Sequence, residues 1–151
     1  RAKLPFDPER MRIIDPRTGF DAVLAMMQAL RRGEILCLMG DRVFGEDPHA
    51  VRLPFLGAPA AFPITPYRLA SACGVPILVL LTRKLDYRSY EVNLAEVLEL
   101  PSHLGRDPAN YAPWAARFVT ALEGFTARYP WAYANFYDLW AERPTAPPPV
   151  P

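Results

Sequence analysis

Residues 74–97 read GVPILVLLTRKLDYRSYEVNLAEV, and the reading of the fold turns on them. From Ile77 to Leu81 every side chain is apolar, so Pro76–Lys84 reads as a strand covered on both faces. Leu85–Ser89 supplies a turn. Tyr90–Val97 then alternates at its start, with Tyr90, Val92 and Leu94 on one face and Glu91 and Asn93 on the other. That pattern predicts a half-exposed strand paired antiparallel with 76–84.

Working outward toward the N-terminus, Pro66–Cys73 reads as a short helix with Thr65 as cap, Pro66 at the first position and Gly74 as the stop. Residues 43–65 read as loop, with a short strand around Val51–Phe55. Ile35–Met39 is continuous and apolar between Gly33 and Gly40, and predicts another doubly covered strand. Residues 18–32 predict an amphipathic helix. Thr18 is the expected cap, Asp21 stands in capping-box position, the apolar stripe is Phe20, Val23, Leu24, Met27 and Leu30, and Gly33 is the left-handed stop. Residues 1–16 are rich in Pro and charge and read as extended, with a short strand at 11–15.

Toward the C-terminus, 101–108 is a loop and 110–128 a long helix capped by Asn110. The aromatic run 129–140 reads as packing on the sheet, with an interfacial belt of Trp131, Tyr133, Phe136, Tyr137 and Trp140 as the other reading. Residues 141–151 form a Pro-rich tail without packing capacity. The order predicts an α/β fold, a small mixed sheet with flanking helices, in one domain over 1–140.

The totals narrow the function. The chain has 151 residues, 51% of them hydrophobic, enough for one domain with its own core. A net charge of +1 without a basic block gives a nucleic-acid partner no electrostatic support. Cys37 and Cys73 lack metal-ligand spacing and read as buried free thiols. No apolar run reaches the roughly 18–20 residues of a membrane span. The N-terminal RAKLPFDPER has no apolar signal region and no initiator Met, so the chain reads as a piece of something longer. Nothing calls for a metal or a resident cofactor.

Several segments, taken in order, resemble one family. They are LRRGEILCLMGDRVFG, VRLPFLGAPAAFP, TPYRLASACGVPILVLLTRKLDYRSYEVNL and the late NFYDLW. The set is similar to the bacterial lipid A late acyltransferases of the lysophospholipid acyltransferase superfamily, over about residues 18–140. The resemblance implies transfer of an acyl chain from a thioester, on acyl carrier protein or coenzyme A, to a lipid or glycolipid acceptor. It also implies peripheral contact with the cytoplasmic face of the inner membrane. The family's general base is the histidine of a His-x-x-x-x-Asp motif, whose carboxylate orients the ring. This chain has no such motif: Pro54 stands five residues after His49, and Pro108 five after His103. His103 and Asp107 are four apart in a predicted loop and read as surface residues. The resemblance therefore implies the C-terminal, pocket-bearing part of an acyltransferase, inactive alone, with the base upstream.

Asp41 and Arg42 close the Ile35–Met39 strand, at the end where open α/β sheets bind ligands. They are the expected catalytic pair, Arg42 meeting a polar or anionic part of the substrate and Asp41 orienting it. The alternative reading is a turn cap and a surface ion pair. The loop LPFLGAPAAFPITP (53–66) has almost no polar side chain, which suits the wall of an acyl channel. Phe44, Phe55, Leu56, Gly57, Phe62, Thr65 and Tyr67 are its expected substrate contacts. Thr65 departs from the glycine that relatives usually carry before the proline. Arg83, Lys84 and Arg88 read as a solvated strand end or as a contact for an acidic carrier or lipid headgroups. Two other functions compete: a non-catalytic lipid- or partner-binding α/β domain, and an unrelated α/β domain.

Overall fold

A computed structural model of the chain describes residues 11–43, 50–135 and 138–141, with Arg17 described by its backbone alone. The chain forms two compact units, Arg1–Cys37 and Leu38–Pro151. In the first, a 3-10 turn at Pro16–Thr18 leads into helix α1, Phe20–Arg31. Gly33 takes the expected left-handed stop at φ 79°. The start differs from expectation. Gly19 is the N-cap, at φ 62°, and the Thr18 hydroxyl donates back to the Asp15 carbonyl at 2.9 Å. The buried stripe is Ala22, Met26 and Ala29, while Phe20, Val23 and Leu24 of the predicted stripe are exposed.

The second unit contains β1 (Val51–Phe55), β2 (Ala58–Phe62), α2 (Thr65–Cys73), β3 (Ile77–Lys84), β4 (Tyr90–Leu98) and α3 (Ala112–Arg128). Its strands form two separate antiparallel pairs, β1 with β2 and β3 with β4. The α/β class holds, but the strands do not join in one mixed sheet. Residues 34–39 carry no strand: Ile35–Met39 has no ladder partner among the described residues, and Ile35 is 92% exposed. A segment without a neighbouring strand has no ladder to join, however apolar it is. Cys37, within that segment, is accordingly exposed, and Cys73, at the end of the Thr65–Cys73 helix, is half-buried, rather than both buried; both are free thiols.

The segment expected as loop is largely the β1–β2 hairpin. Its two-residue turn is Leu56–Gly57, at φ 50° and φ 89°, the positive pair that a type I′ turn requires. Pro54 stands opposite Pro59 in the register, so the two residues lacking N–H groups share one rung. Helix α2 begins at Thr65 with Ile64 as N-cap and Pro66 in the first turn, and stops at Gly74 in the left-handed conformation, φ 66°.

Strands β3 and β4 pair Leu78 with Val97, Leu80 with Leu94 and Thr82 with Val92. One face of the hairpin turns Val79, Leu81 and Leu98 into the core. The other carries Leu78, Leu80, Val92 and Leu94, each more than half exposed. The alternation predicted for β4 is present, and its apolar side faces outward. Helix α3 packs across β1, β3 and β4. Phe55, Ala60, Phe62, Ile64, Leu98, Ala115 and Leu139 are the most deeply buried apolar members of this core. Burial of each large side chain among them contributes about 1.5–3 kcal/mol.

Before α3 comes a 3-10 turn, Pro108–Tyr111, capped by an Asp107 carboxylate oxygen that accepts the Ala109 N–H at 2.9 Å. Asn110, expected as the cap, instead donates its side-chain amide to the Leu104 carbonyl at 2.6 Å. Pro113 lies in the first turn of α3, where its missing N–H leaves no bond unmade.

Candidate functional site

Gly40 sets the start of the site. A Cβ placed there would stand 3.0 Å from Cζ of Phe118, so any larger residue would push on the α3 ring where it closes on this backbone. Asp41 and Arg42 follow, with side chains 19% and 34% exposed, and then the buried Val43. The Arg42 Nε and Asp41 Oδ2 atoms are 3.9 Å apart, an ion-pair contact too long for a hydrogen bond. Arg42 Nε is itself buried and has no hydrogen-bond partner among the described residues. A buried donor left in that condition costs about 1–3 kcal/mol, which an anionic or carbonyl oxygen would relieve.

The expected substrate contacts divide into two groups. Phe55, Phe62 and Tyr67 belong to the core. Phe55 and Phe62 have no exposed surface and meet edge to face at 5.8 Å, and Phe55 packs likewise on Tyr133 at 5.6 Å. Burial pushes the Tyr67 phenol far above its ordinary range, so its hydroxyl stays neutral. Leu56 and Gly57 form the exposed hairpin turn, where the Leu56 N–H donates to a Glu123 carboxylate oxygen at 2.7 Å. Thr65 is half-buried at the first residue of α2. Phe44 and His49 lie outside the described residues, as do Phe136 and Tyr137 and all but the first residue of the 141–151 tail.

Phe118 joins the Gly40 backbone to the core members of this set. Its ring lies against Gly40 and meets the Phe62 ring edge to face at 6.3 Å. A short chain of contacts thus runs from the Asp41–Arg42 backbone through Phe118 and Phe62 to Phe55. The sequence predicts a helix around Phe118, but nothing there pointed to Gly40. The only available signal was the glycine itself, next to a charged pair.

His103 is exposed in a turn at φ 59°, and the Asp107 carboxylate is engaged at the 3-10 cap, as their surface reading expected. Among the described residues no group of His, Cys, Asp or Glu is placed to hold a metal ion, and no helix is long and apolar enough to cross a membrane. The cations near the β3–β4 turn differ in their engagement. Arg83 bonds Glu91 at 2.5 Å and lies 4.3 Å above the Tyr129 ring. That bond, followed by one from Asn93, holds the Glu91 carboxyl below its usual range.

The family model of bacterial lipid A biosynthesis acyltransferases matches residues 9–141. The chain belongs to the bacterial lipid A biosynthesis acyltransferase family. Membership makes acyl transfer the general chemistry of this domain. The match spans the Asp41–Arg42 pair, the β1–β2 hairpin and the run up to Trp140. No curated protein and no solved structure matches the chain.

Proposed function

We propose that this chain is the pocket-bearing part of a lipid acyltransferase that takes a fatty acyl group from an acyl-thioester, on acyl carrier protein or coenzyme A, and passes it to a lipid or glycolipid acceptor. The observation that carries this reading is the half-buried Asp41–Arg42 pair, with Arg42 Nε buried and lacking a partner among the described residues. Attack on a thioester carbonyl builds negative charge on one oxygen, and a fixed guanidinium nearby stabilises it. In this reading Arg42 supplies that charge, or holds an anionic part of the acceptor, and Asp41 orients it. Phe44, Leu56, Gly57 and Thr65 contact the acyl chain, and Phe55, Phe62 and Tyr67 hold the wall behind them.

The general base lies elsewhere in this reading, in a preceding part of the same polypeptide that carries His-x-x-x-x-Asp. The open sheet face supports it: Leu78, Leu80, Val92 and Leu94 are apolar, contiguous across two strands and uncovered. Such a face is costly in water unless another layer covers it. The enzyme then works peripherally at the cytoplasmic face of the inner membrane, where a lipid acceptor resides.

The test is acyl transfer by the polypeptide extended upstream through its His-x-x-x-x-Asp segment. Arg42→Ala is expected to lower kcat/KM by one to two orders of magnitude, about 1.4–2.8 kcal/mol of transition-state stabilisation. An unchanged rate in a folded Arg42→Ala protein rejects the role. Residues 1–151 alone are expected to show no transfer, and turnover by them would place the base within this chain. A parent reading frame that begins near Arg1 would favour the non-catalytic lipid- or partner-binding reading.

A further inference from the structure

Far along the sequence from Asp41, the β3–β4 turn and the turn after α3 enclose an open cleft of about 670 Å³. Its lining includes Arg83, Lys84, Asp86, Arg128, Tyr129 and Trp131. The charges in it are not equally available. Arg83 is taken by Glu91 and the Tyr129 ring. Asp86 is turned into its own loop, where its carboxylate accepts the N–H groups of Arg88 and Ser89 and the Ser89 hydroxyl. Lys84 and Arg128 form no salt bridge among the described residues, although Lys84 acts through space on the Asp86 carboxylate; Arg128 stacks on Tyr129 at 5.9 Å. The charge left facing outward is therefore cationic.

Amphipathic and apolar side chains stand beside those cations. Trp131 is 98% exposed on its 3-10 turn, Tyr87 in the neighbouring turn is 85% exposed, and Leu85 is half-exposed. Single exposed apolar residues need no explanation, but an indole, a phenol and a leucine set around unpaired cations form a pattern. Indole and phenol rings favour the lipid headgroup zone, where one end of the ring is dry and the other wet. Lysine and arginine favour the phosphates of an anionic leaflet.

We propose that this rim docks the protein on an anionic membrane surface, with Lys84 and Arg128 against lipid phosphates and Trp131 and Leu85 in the headgroup zone. It deepens the peripheral-membrane part of the function proposed above by naming the surface. It is read by binding alone, so its failure and a failure of the acyl-transfer reading are separable.

The experiment is co-sedimentation of the full 151-residue chain with phosphatidylcholine vesicles, with and without phosphatidylglycerol, followed by tryptophan emission. Binding is expected only with phosphatidylglycerol, weakened by high salt and accompanied by a blue shift. Lys84→Glu/Arg128→Glu, folded by circular dichroism, is expected to lower partitioning by about tenfold or more. Trp131→Phe is expected to keep most of the binding and lose the blue shift. Equal binding to pure phosphatidylcholine would assign the contact to the open sheet face and overturn the proposal, as would undiminished binding by the charge-reversed variant. Saturable competition by inorganic phosphate at low concentration would mark a free-phosphate site instead. Capture of an acidic carrier protein through Lys84 and Arg128, without vesicle binding, would also overturn it.

Discussion

The indole Nε1–H of Trp140 donates to the backbone carbonyl of Phe55 at 3.0 Å, closing a contact across 85 residues of sequence. Arg52 reinforces it: one guanidinium nitrogen donates to the Ala141 carbonyl at 3.1 Å, the other to the carbonyls of Pro59 and Trp140 at 2.8 and 3.3 Å. The end of the aromatic run is thus tied to the β1–β2 hairpin by polar bonds, and Leu139, just before Trp140, is buried in the core. Trp140→Phe keeps an aromatic ring and removes the N–H donor together with part of the indole's packing. It is expected to lower unfolding stability by about 0.5–1.5 kcal/mol, read as a lower urea midpoint at unchanged slope. A midpoint equal to the parent's would mean that water replaces the indole at Phe55 without loss.

Ser71 shows how α2 is locked to the loop that follows β4. It is 1% exposed, its hydroxyl donates to the Pro101 carbonyl at 2.7 Å, and the same oxygen accepts the Leu104 N–H at 3.1 Å. The Ser71 carbonyl in turn accepts the His103 N–H at 3.2 Å. Ser71→Ala strands a carbonyl and an N–H together and is expected to cost about 1–3 kcal/mol. Native-state hydrogen exchange should show the loss at Leu104 first. Uniform weakening, with Leu104 as protected as before, would count against the lock.

How much of this was legible depends on whether the signal was local. Gly33 and Gly74 stop their helices where the sequence placed them, because a left-handed stop is a property of the residue itself. The β3–β4 pairing was readable from one apolar run, one turn and one alternation. The β1–β2 hairpin was hidden for two reasons. Its turn is Leu-Gly rather than Asn-Gly, and the Pro54–Pro59 rung looks like two strand breakers until the register places them opposite each other. Ile35–Met39 failed in the other direction: apolar composition announces burial, but a strand exists only where a neighbour completes its ladder. In the candidate site, the Asp41–Arg42 pair was visible as a motif. The Phe118 contact behind it was not, since 78 residues separate Gly40 from Phe118, by subtraction of their numbers.

The β3–β4 turn has an acid-sensitive element. The Ser89 hydroxyl, then the Arg88 and Ser89 backbone N–H groups, hold the Asp86 carboxyl below its ordinary value. A carboxyl depressed by folding contributes stability above its unfolded pKa, near 4, and loses that contribution as pH falls through the lowered value. Ser89→Ala removes the largest cause and should raise the Asp86 pKa toward the ordinary value, as read by carboxyl-carbon NMR titration. An unmoved titration in Ser89→Ala would show that the backbone donors alone set it.

The last prediction concerns the contact that couples the charged pair to the core. Gly40→Ala places a methyl against the Phe118 ring at 3.0 Å, tighter than ordinary packing allows. The ring must tilt, and it leans on Phe62, which leans on Phe55. Overpacking of this kind costs about 1–3 kcal/mol, and here the displaced backbone carries Asp41 and Arg42. The expected result is modest destabilisation with a larger loss of kcat than of substrate binding, measured on the upstream-extended polypeptide. Phe118→Leu alone opens a small cavity and destabilises by its own mechanism. The double variant Gly40→Ala/Phe118→Leu should be less damaged than the sum of the two, because the smaller side chain accepts the methyl. A double-mutant cycle reads that difference as a coupling energy of about 0.5–3 kcal/mol. Strict additivity would show that Gly40 does not act through the ring, and would leave the Asp41–Arg42 geometry without its support from α3.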